Sequence, residues 1–212
     1  MGFVDRTGEP GRALVGTGQQ PVVNRAEPSD ISVATDRLRC QSALVLNESD
    51  VLEVLDLLKS AGAAVWVDGG WGVDALIGET TRIHSDLDLV VLSDQLDVVR
   101  DALVEAGFTE VLRDWLPTGL AVADSAGREI DLHPIVGSSR EGGQQLLPGG
   151  EWFHYPAPVT GTIGGRQVPC VDATTQVQCH LGYEATDKDR QDMARLHTVT
   201  GVELPWDYMP TP

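Results

Sequence analysis

Residues 65–92, reading V-W-V-D-G-G-W-G-V-D-A-L-I-G-E-T-T-R-I-H-S-D-L-D-L-V-V-L, constrain the fold more than any other stretch of this chain. A short apolar run leads into a Gly-Gly pair, a helix-sized segment follows, and two aspartates then alternate with leucines. Residues i and i+2 of a strand share a face, so Asp86 and Asp88 point the same way. Their backbone positions lie roughly 7 Å apart at about 3.3 Å of rise per residue. Leu87, Leu89 and Val91 then point into a core. The same alternation also suits an ordinary half-exposed strand with a solvated acidic face.

Two carboxylates on one strand face repel each other unless a cation lies between them. Hard divalent ions such as Mg2+ are held by one or two carboxylates together with substrate phosphates, which makes metal-assisted phosphoryl chemistry the alternative reading of the pair. Gly69 and Gly70 follow a strand predicted over 63–67, where a tight turn can bring backbone amides close to an anion. A helix predicted over 71–77 adds its positive dipole end. Taken alone, a Gly-Gly pair also marks ordinary turns. Asp68 and Asp74 flank it, with Asp74 expected to cap or orient the loop rather than to bind metal.

Strand, Gly-Gly, helix and Asp-Leu-Asp together resemble the nucleotidyltransferase signature of the polymerase-beta-like superfamily. Within it, W-V-D-G-G-W-G-V-D-A-L and T-R-I-H-S-D-L-D are most similar to the lincosamide nucleotidyltransferases and, more distantly, to the aminoglycoside 2''-nucleotidyltransferases. The fifteen residues between Gly70 and Asp86 exceed the usual superfamily spacing, and the antibiotic-modifying group shares that longer spacer. The resemblance implies that Gly69 and Gly70 position a nucleoside triphosphate and that Asp86 and Asp88 bind Mg2+. Arg82 and His84, just upstream, are then candidates for the triphosphate site, against the alternative of surface cations paired with one of many acids.

A strand predicted over 128–135, R-E-I-D-L-H-P-I, puts Glu129, Asp131 and His133 on one face. Solvation at a sheet edge accounts for such acids without any function. The likeness of I-D-L-H-P-I to the lincosamide group instead implies that Asp131 is the third carboxylate, as second metal ligand or as general base. Trp66, Trp71, Trp115, Trp152 and Tyr183 are candidates either for an acceptor pocket or for the core.

Composition narrows the partners. With 15 Lys and Arg against 32 Asp and Glu, the formal net charge is −17. Nucleic-acid binding needs clustered cations, so none is expected, while a small cationic antibiotic suits such a field. No apolar run reaches membrane-spanning length and no signal-peptide pattern opens the chain, so no membrane partner and a cytoplasmic location are expected. The three cysteines, Cys40, Cys170 and Cys179, lack C-x-x-C spacing, which disfavours zinc and a disulfide framework.

Along the chain, residues 1–46 read as a mobile N-terminal extension, 47–140 as the nucleotidyltransferase catalytic domain and 141–212 as a region completing the acceptor cleft. Asn47 with Asp50 predicts a capped helix start, and Val51, Val54, Leu55 and Leu58 its buried stripe. Ser93 is expected to cap a helix burying Leu96, Val99 and Leu103. Strands are predicted over 108–112, 116–123 and 152–155, a loop over 142–150, and a hairpin over 162–171 turning at Gly164-Gly165. Helices follow over 173–183 and 187–199, the latter capped by Thr186 with Asp189.

The expected fold is α+β: a small mixed sheet carrying three aspartates, flanked by helices, with a C-terminal helical part. The expected activity is Mg2+-dependent transfer of a nucleoside monophosphate, AMP from ATP, to a hydroxyl of a small antibiotic, with a lincosamide preferred over an aminoglycoside. A nucleotidyltransferase modifying a macromolecule and a non-catalytic nucleotide-binding module are the rivals.

Overall fold

The computed structural model describes residues 45–208. The extension expected over 1–46, and Cys40 with it, lies outside the described residues except for Val45 and Leu46. Leu46 belongs to the folded part, since it is buried and bridges to His84.

Helix α1 (Glu48–Ser60) starts at a capping box in which Asn47 accepts from the amides of Ser49 and Asp50 while Asp50 accepts from the Asn47 amide. It leads to β1 (Val65–Val67), α2 (Gly69–Ile77) and β2 (Asp86–Leu92). A 3₁₀ turn, Ser93–Gln95, then enters α3 (Leu96–Glu105) with no side-chain cap, so Ser93 does not cap this helix. Strands β3 (Glu110–Asp114), β4 (Leu120–Ala123), β5 (Glu129–Ser138), β6 (Gly142–Leu146), β7 (Trp152–Pro156), β8 (Val159–Ile163) and β9 (Arg166–Cys170) follow. The described chain closes with α4 (Ala173–Cys179), α5 (Asp187–Thr200) and a 3₁₀ turn at Trp206–Tyr208.

The sheet is mixed, in the order β3-β4-β5-β2-β1-β9-β8, with β6 pairing β5 and β7 pairing β6. β2 runs parallel to β5 and antiparallel to β1, and β9 runs parallel to β1. One face packs Val65, Val67, Leu87, Leu89, Val91, Ile130 and Leu132 against the buried stripes of α1, α2 and α3. A one-residue slip of β2 or β5 would drive Asp86, Asp88 or Asp131 into that core, so the buried leucines pin the register of the carboxylates. On the other face, Trp66, Val90, Leu92, Ile135, Tyr155 and Val171 form a second cluster. Val73 of α2, Val177 of α4 and Met193 and Leu196 of α5 tie the C-terminal helices to the helix after the Gly-Gly pair.

Three further local expectations need correcting. The segment read as a loop over 142–150 contains β6, because Gly137 and Gly143 let the β5 and β6 backbones approach where an added Cβ would fall 2.5–3.0 Å from the facing Cα. The strand expected over 116–123 starts only at Leu120, after a turn in which the Thr118 amide bonds the Trp115 carbonyl. The helix expected over 173–183 ends at Cys179, where His180 leaves helical geometry. By contrast, the hairpin turn at Gly164-Gly165 is present, both residues having positive φ (54° and 76°), as is the capping box of Thr186 and Asp189 on α5.

Candidate active site

The parallel pairing of β2 and β5 sets Asp88 opposite Asp131 and Asp86 opposite Glu129, all on the face away from the helical core. One oxygen from each of Asp86, Glu129 and Asp131 lies within 4.8 Å of the others. Asp88 is not one of that trio but acts on Asp86 and Asp131 through its charge; His133 Nε2 lies 3.2 Å from its Oδ1, while its Oδ2 abuts Gly69. Gly69 and Gly70 open α2, and the Asp68 side chain caps it by accepting from the Gly69 amide at 2.8 Å. Gly69 has φ +57°, and a Cβ there would fall 2.0 Å from Asp88 Oδ2. The turn and the carboxylate are therefore in contact only because Gly69 has no side chain.

Crowded acids raise one another's pKa. Burial, the Asp88 charge and Glu129 hold the Asp86 carboxyl above the usual range. Asp131 is also raised, by burial and Asp88, against the opposing pull of Arg113 and His133. Burial raises Asp68 too, with Asp88 adding to it and His133 opposing. For His133, burial acts downward, but the hydrogen bond to Asp88 and the charges of Asp88, Asp68 and Asp131 outweigh it and push it up to about 9.

Arg113, which the sequence did not mark, donates to both Glu129 and Asp131, at 2.7 Å from Asp131 Oδ2. A cation already bridges the carboxylates that a metal would share. Glu129 was visible in the strand alternation, but only its neighbours across the sheet make it part of the cluster.

Asp88 and Asp131, but not Asp86 or Glu129, line a cavity of about 500 Å3 whose wall also includes Gly69, Arg113, Trp115 and Tyr183. Of the candidate aromatics, Trp115 and Tyr183 line it, Trp66 and Trp71 are core, and Trp152 is exposed outside it. Phe153, Tyr155, Cys179 and His180 complete the lining from segments after residue 141.

Arg82 and His84, expected at a triphosphate, are engaged elsewhere. Arg82 forks onto Asp192 of α5 through Nε at 2.9 Å and Nη2 at 2.8 Å, a geometry suited to a planar guanidinium. His84 is 2 % exposed, pairs with Asp74 at 2.5 Å and packs its ring 4.6 Å from that of Trp71. Both lie under Gly70, where an added Cβ would fall 2.4 Å from Arg82 Nη2 and from His84 Nδ1. Asp74 accepts from the amide and hydroxyl of Thr81 as well as facing His84, and Asp68 rather than Asp74 caps the helix. These residues carried no sequence signal separating loop scaffold from ligand contact, since their partners are remote in the chain.

Residues 50–196 match the aminoglycoside-2''-adenylyltransferase family. The lincosamide resistance protein of Staphylococcus haemolyticus is 27% identical over 163 residues, which cover 73% of this chain and 97% of that relative. A 2''-aminoglycoside nucleotidyltransferase of Escherichia coli is 29% identical over 106 residues, covering 50% of this chain and 56% of its own. Among solved structures, the lincomycin-bound lincosamide antibiotic adenylyltransferase LnuA superposes with a TM-score of 0.66 at 26% identity, over 74% of this chain and 99% of that one. ANT(2")-Ia in complex with adenylyl-2"-tobramycin has the same fold, with a TM-score of 0.58 at 18% identity over 71% and 87% of the two chains. No helix among the described residues is long and apolar enough to cross a membrane. With a mixed sheet presenting acidic side chains beside a Gly-Gly helix start, and with the family matched over most of its length, this chain belongs to the aminoglycoside-2''-adenylyltransferase family and is a nucleotidyltransferase.

Proposed function

We propose that this nucleotidyltransferase moves AMP from ATP to a hydroxyl of a lincosamide in a Mg2+-dependent reaction. The observation that carries the reading is the β2–β5 register, which brings Asp86, Asp88 and Asp131 to one face beside the N-terminus of α2. The lincosamide preference is supported by the relative that aligns over 97% of its own length and by the fold of the lincomycin-bound enzyme.

The donor set fits a hard divalent ion: every candidate ligand atom is a carboxylate oxygen, and Asp86 and Asp131 are raised by burial first and by the Asp88 charge second, both of which a bound cation would offset. Asp86, Asp88 and Asp131 would hold it, with Glu129 alongside. When bound, such ions neutralise phosphate charge and acidify the attacking hydroxyl.

The chain's own groups do the rest. The N-terminus of α2 at Gly69 and Gly70 faces its positive dipole end toward a triphosphate. Asp131, with one oxygen held by Arg113, takes the proton from the acceptor hydroxyl as the hydroxyl oxygen bonds to the alpha-phosphorus and the bond to pyrophosphate breaks. Trp115 and Tyr183 offer aromatic faces at the cavity wall to an amphipathic acceptor. Arg82 and His84 act as supports for the Gly70 turn rather than as triphosphate ligands.

The test is pyrophosphate release with lincomycin and with kanamycin, each offered with every nucleoside triphosphate. Release with lincomycin and ATP is expected, and Asp86→Asn, Asp88→Asn and Asp131→Asn should each abolish it. Release with kanamycin alone assigns the aminoglycoside reaction, which the family match favours as the second reading. Release with neither points to a macromolecular acceptor.

A further inference from the structure

Asp88 is reached by His133 Nε2 at 3.2 Å. A neutral imidazole has one donor and one acceptor nitrogen, so what His133 presents to Asp88 depends on what its Nδ1 meets. Nδ1 faces the side-chain nitrogen of Gln145, on β6, at 3.3 Å. That amide has its orientation decided by two other partners. Its nitrogen lies 2.8 Å from the Thr118 carbonyl, which can only accept, and its oxygen lies 3.3 Å from the Tyr155 hydroxyl. Turning the amide over would set oxygen against oxygen at Thr118. In the neutral ring that nitrogen donates toward His133 Nδ1 and Nε2 carries the hydrogen that Asp88 accepts, and the fixed amide holds the ring in this orientation. Nε2 keeps that hydrogen whether or not Nδ1 is also protonated.

The same amide reaches the glycine turn. The Tyr155 hydroxyl lies within donating distance of both Gln145 Oε1, at 3.3 Å, and Asp68 Oδ2, at 3.1 Å, and Asp68 Oδ1 accepts from the Gly69 amide. Gln145, Tyr155 and Asp68 are 6 %, 3 % and 4 % exposed, so water does not replace a lost partner here.

We propose that His133 and Gln145 are positioning residues: the Gln145 amide holds the His133 ring with Nε2 toward Asp88, and through Tyr155 and Asp68 it holds the Gly69 turn against that carboxylate. This rests on Asp88 serving as a metal ligand, as argued above. A hydrogen bond to a ligating carboxylate fixes which oxygen faces the ion, and losing such a partner typically costs about 10–100-fold in metal affinity or activity.

The test compares the full chain with His133→Leu, His133→Gln, Gln145→Leu and Asp88→Asn. Mn2+ binding, followed by loss of the free-ion electron paramagnetic resonance signal, is measured without turnover, alongside kcat and KM. His133→Leu and Gln145→Leu should weaken Mn2+ binding and lower kcat by about 10–100-fold each while KM for the acceptor changes little. His133→Gln, whose amide nitrogen restores a donor near Asp88, should recover most of both. Equal losses in His133→Leu and His133→Gln, or Mn2+ binding at wild-type strength in His133→Leu, would overturn the proposal. Should Gln145→Leu not fold, the two His133 variants decide alone. Wild-type Mn2+ binding by Asp88→Asn removes the metal reading itself. Loss of binding in Asp88→Asn alone leaves that reading standing and sinks only the positioning role.

Discussion

Arg82 and Asp192 join the loop before β2 to helix α5 through a forked contact, with the Asp192 side chain 2 % exposed and Arg82 18 %. The pair fastens the segment that packs under Gly70 to the C-terminal helix.

Removing Asp192 leaves a part-buried guanidinium without its carboxylate, which costs roughly 3–5 kcal/mol. Asp192→Ala should lower the urea midpoint accordingly. Arg82→Lys cannot reproduce the fork and should also destabilise. Its KM for ATP is expected to stay within about twofold of wild type, for a change well under the 1.4 kcal/mol that tenfold requires. A large rise in that KM with unchanged stability would return Arg82 to the triphosphate.

At Gly69, φ of +57° and the contact with Asp88 Oδ2 act together. Gly69→Ala should destabilise by about 1–3 kcal/mol from backbone strain and displace Asp88. Turnover is expected to fall more steeply than stability, as read by kcat against the melting temperature. Gly62→Ala is the control, because Gly62 has φ +85° with open space around the absent Cβ and should lose stability without losing turnover.

Asp86 has a raised pKa in the folded chain through burial, Asp88 and Glu129. For an acid raised on folding, the native state binds more protons between the unfolded and folded pKa, so stability falls as pH rises through that window and the penalty is complete above it. In EDTA at pH 7.5, Asp86→Asn should therefore melt above wild type, with the gap closing toward pH 4. Mg2+ should raise the wild-type melting temperature and leave the variant unmoved. A lower melting temperature for the variant in EDTA would contradict this account.

Asp124 shows the opposite sign. Burial acts to raise its carboxyl pKa, but the hydrogen bonds and charge of Arg128, with the Ala126 amide, outweigh it and hold the group below its usual value. Such a depressed acid stabilises the fold above its unfolded pKa, and that contribution is lost as pH falls through the folded pKa. Asp124→Asn should lose about 1–3 kcal/mol at pH 7, from the buried donors it leaves unpaired. Urea midpoints of variant and wild type should converge below about pH 4, the ordinary carboxylate range.

Much of this molecule is written in local pattern. Alternation over Asp86–Leu92 and along β5 assigns each carboxylate to the face away from the core, because side-chain direction in a strand depends only on parity. Asn47 with Asp50, Thr186 with Asp189, and Gly164-Gly165 mark helix starts and a hairpin through bonds spanning a few residues. What sequence could not decide is which strands become neighbours. The pairing of Asp88 with Asp131 and of Asp86 with Glu129 exists only once β2 and β5 lie side by side in parallel register. Arg82 finds Asp192, Arg113 finds Asp131, and Gln145 finds His133 across strands and helices that share no sequence spacing. Gly142 and Gly143 look like loop residues locally and become strand only because β5 and β7 offer hydrogen-bonding edges on both sides. Parity and capping are properties of a short peptide and can be read from it. Partner choice among buried polar groups is settled by the packing of the whole sheet, where an unpaired donor or charge is too costly to leave.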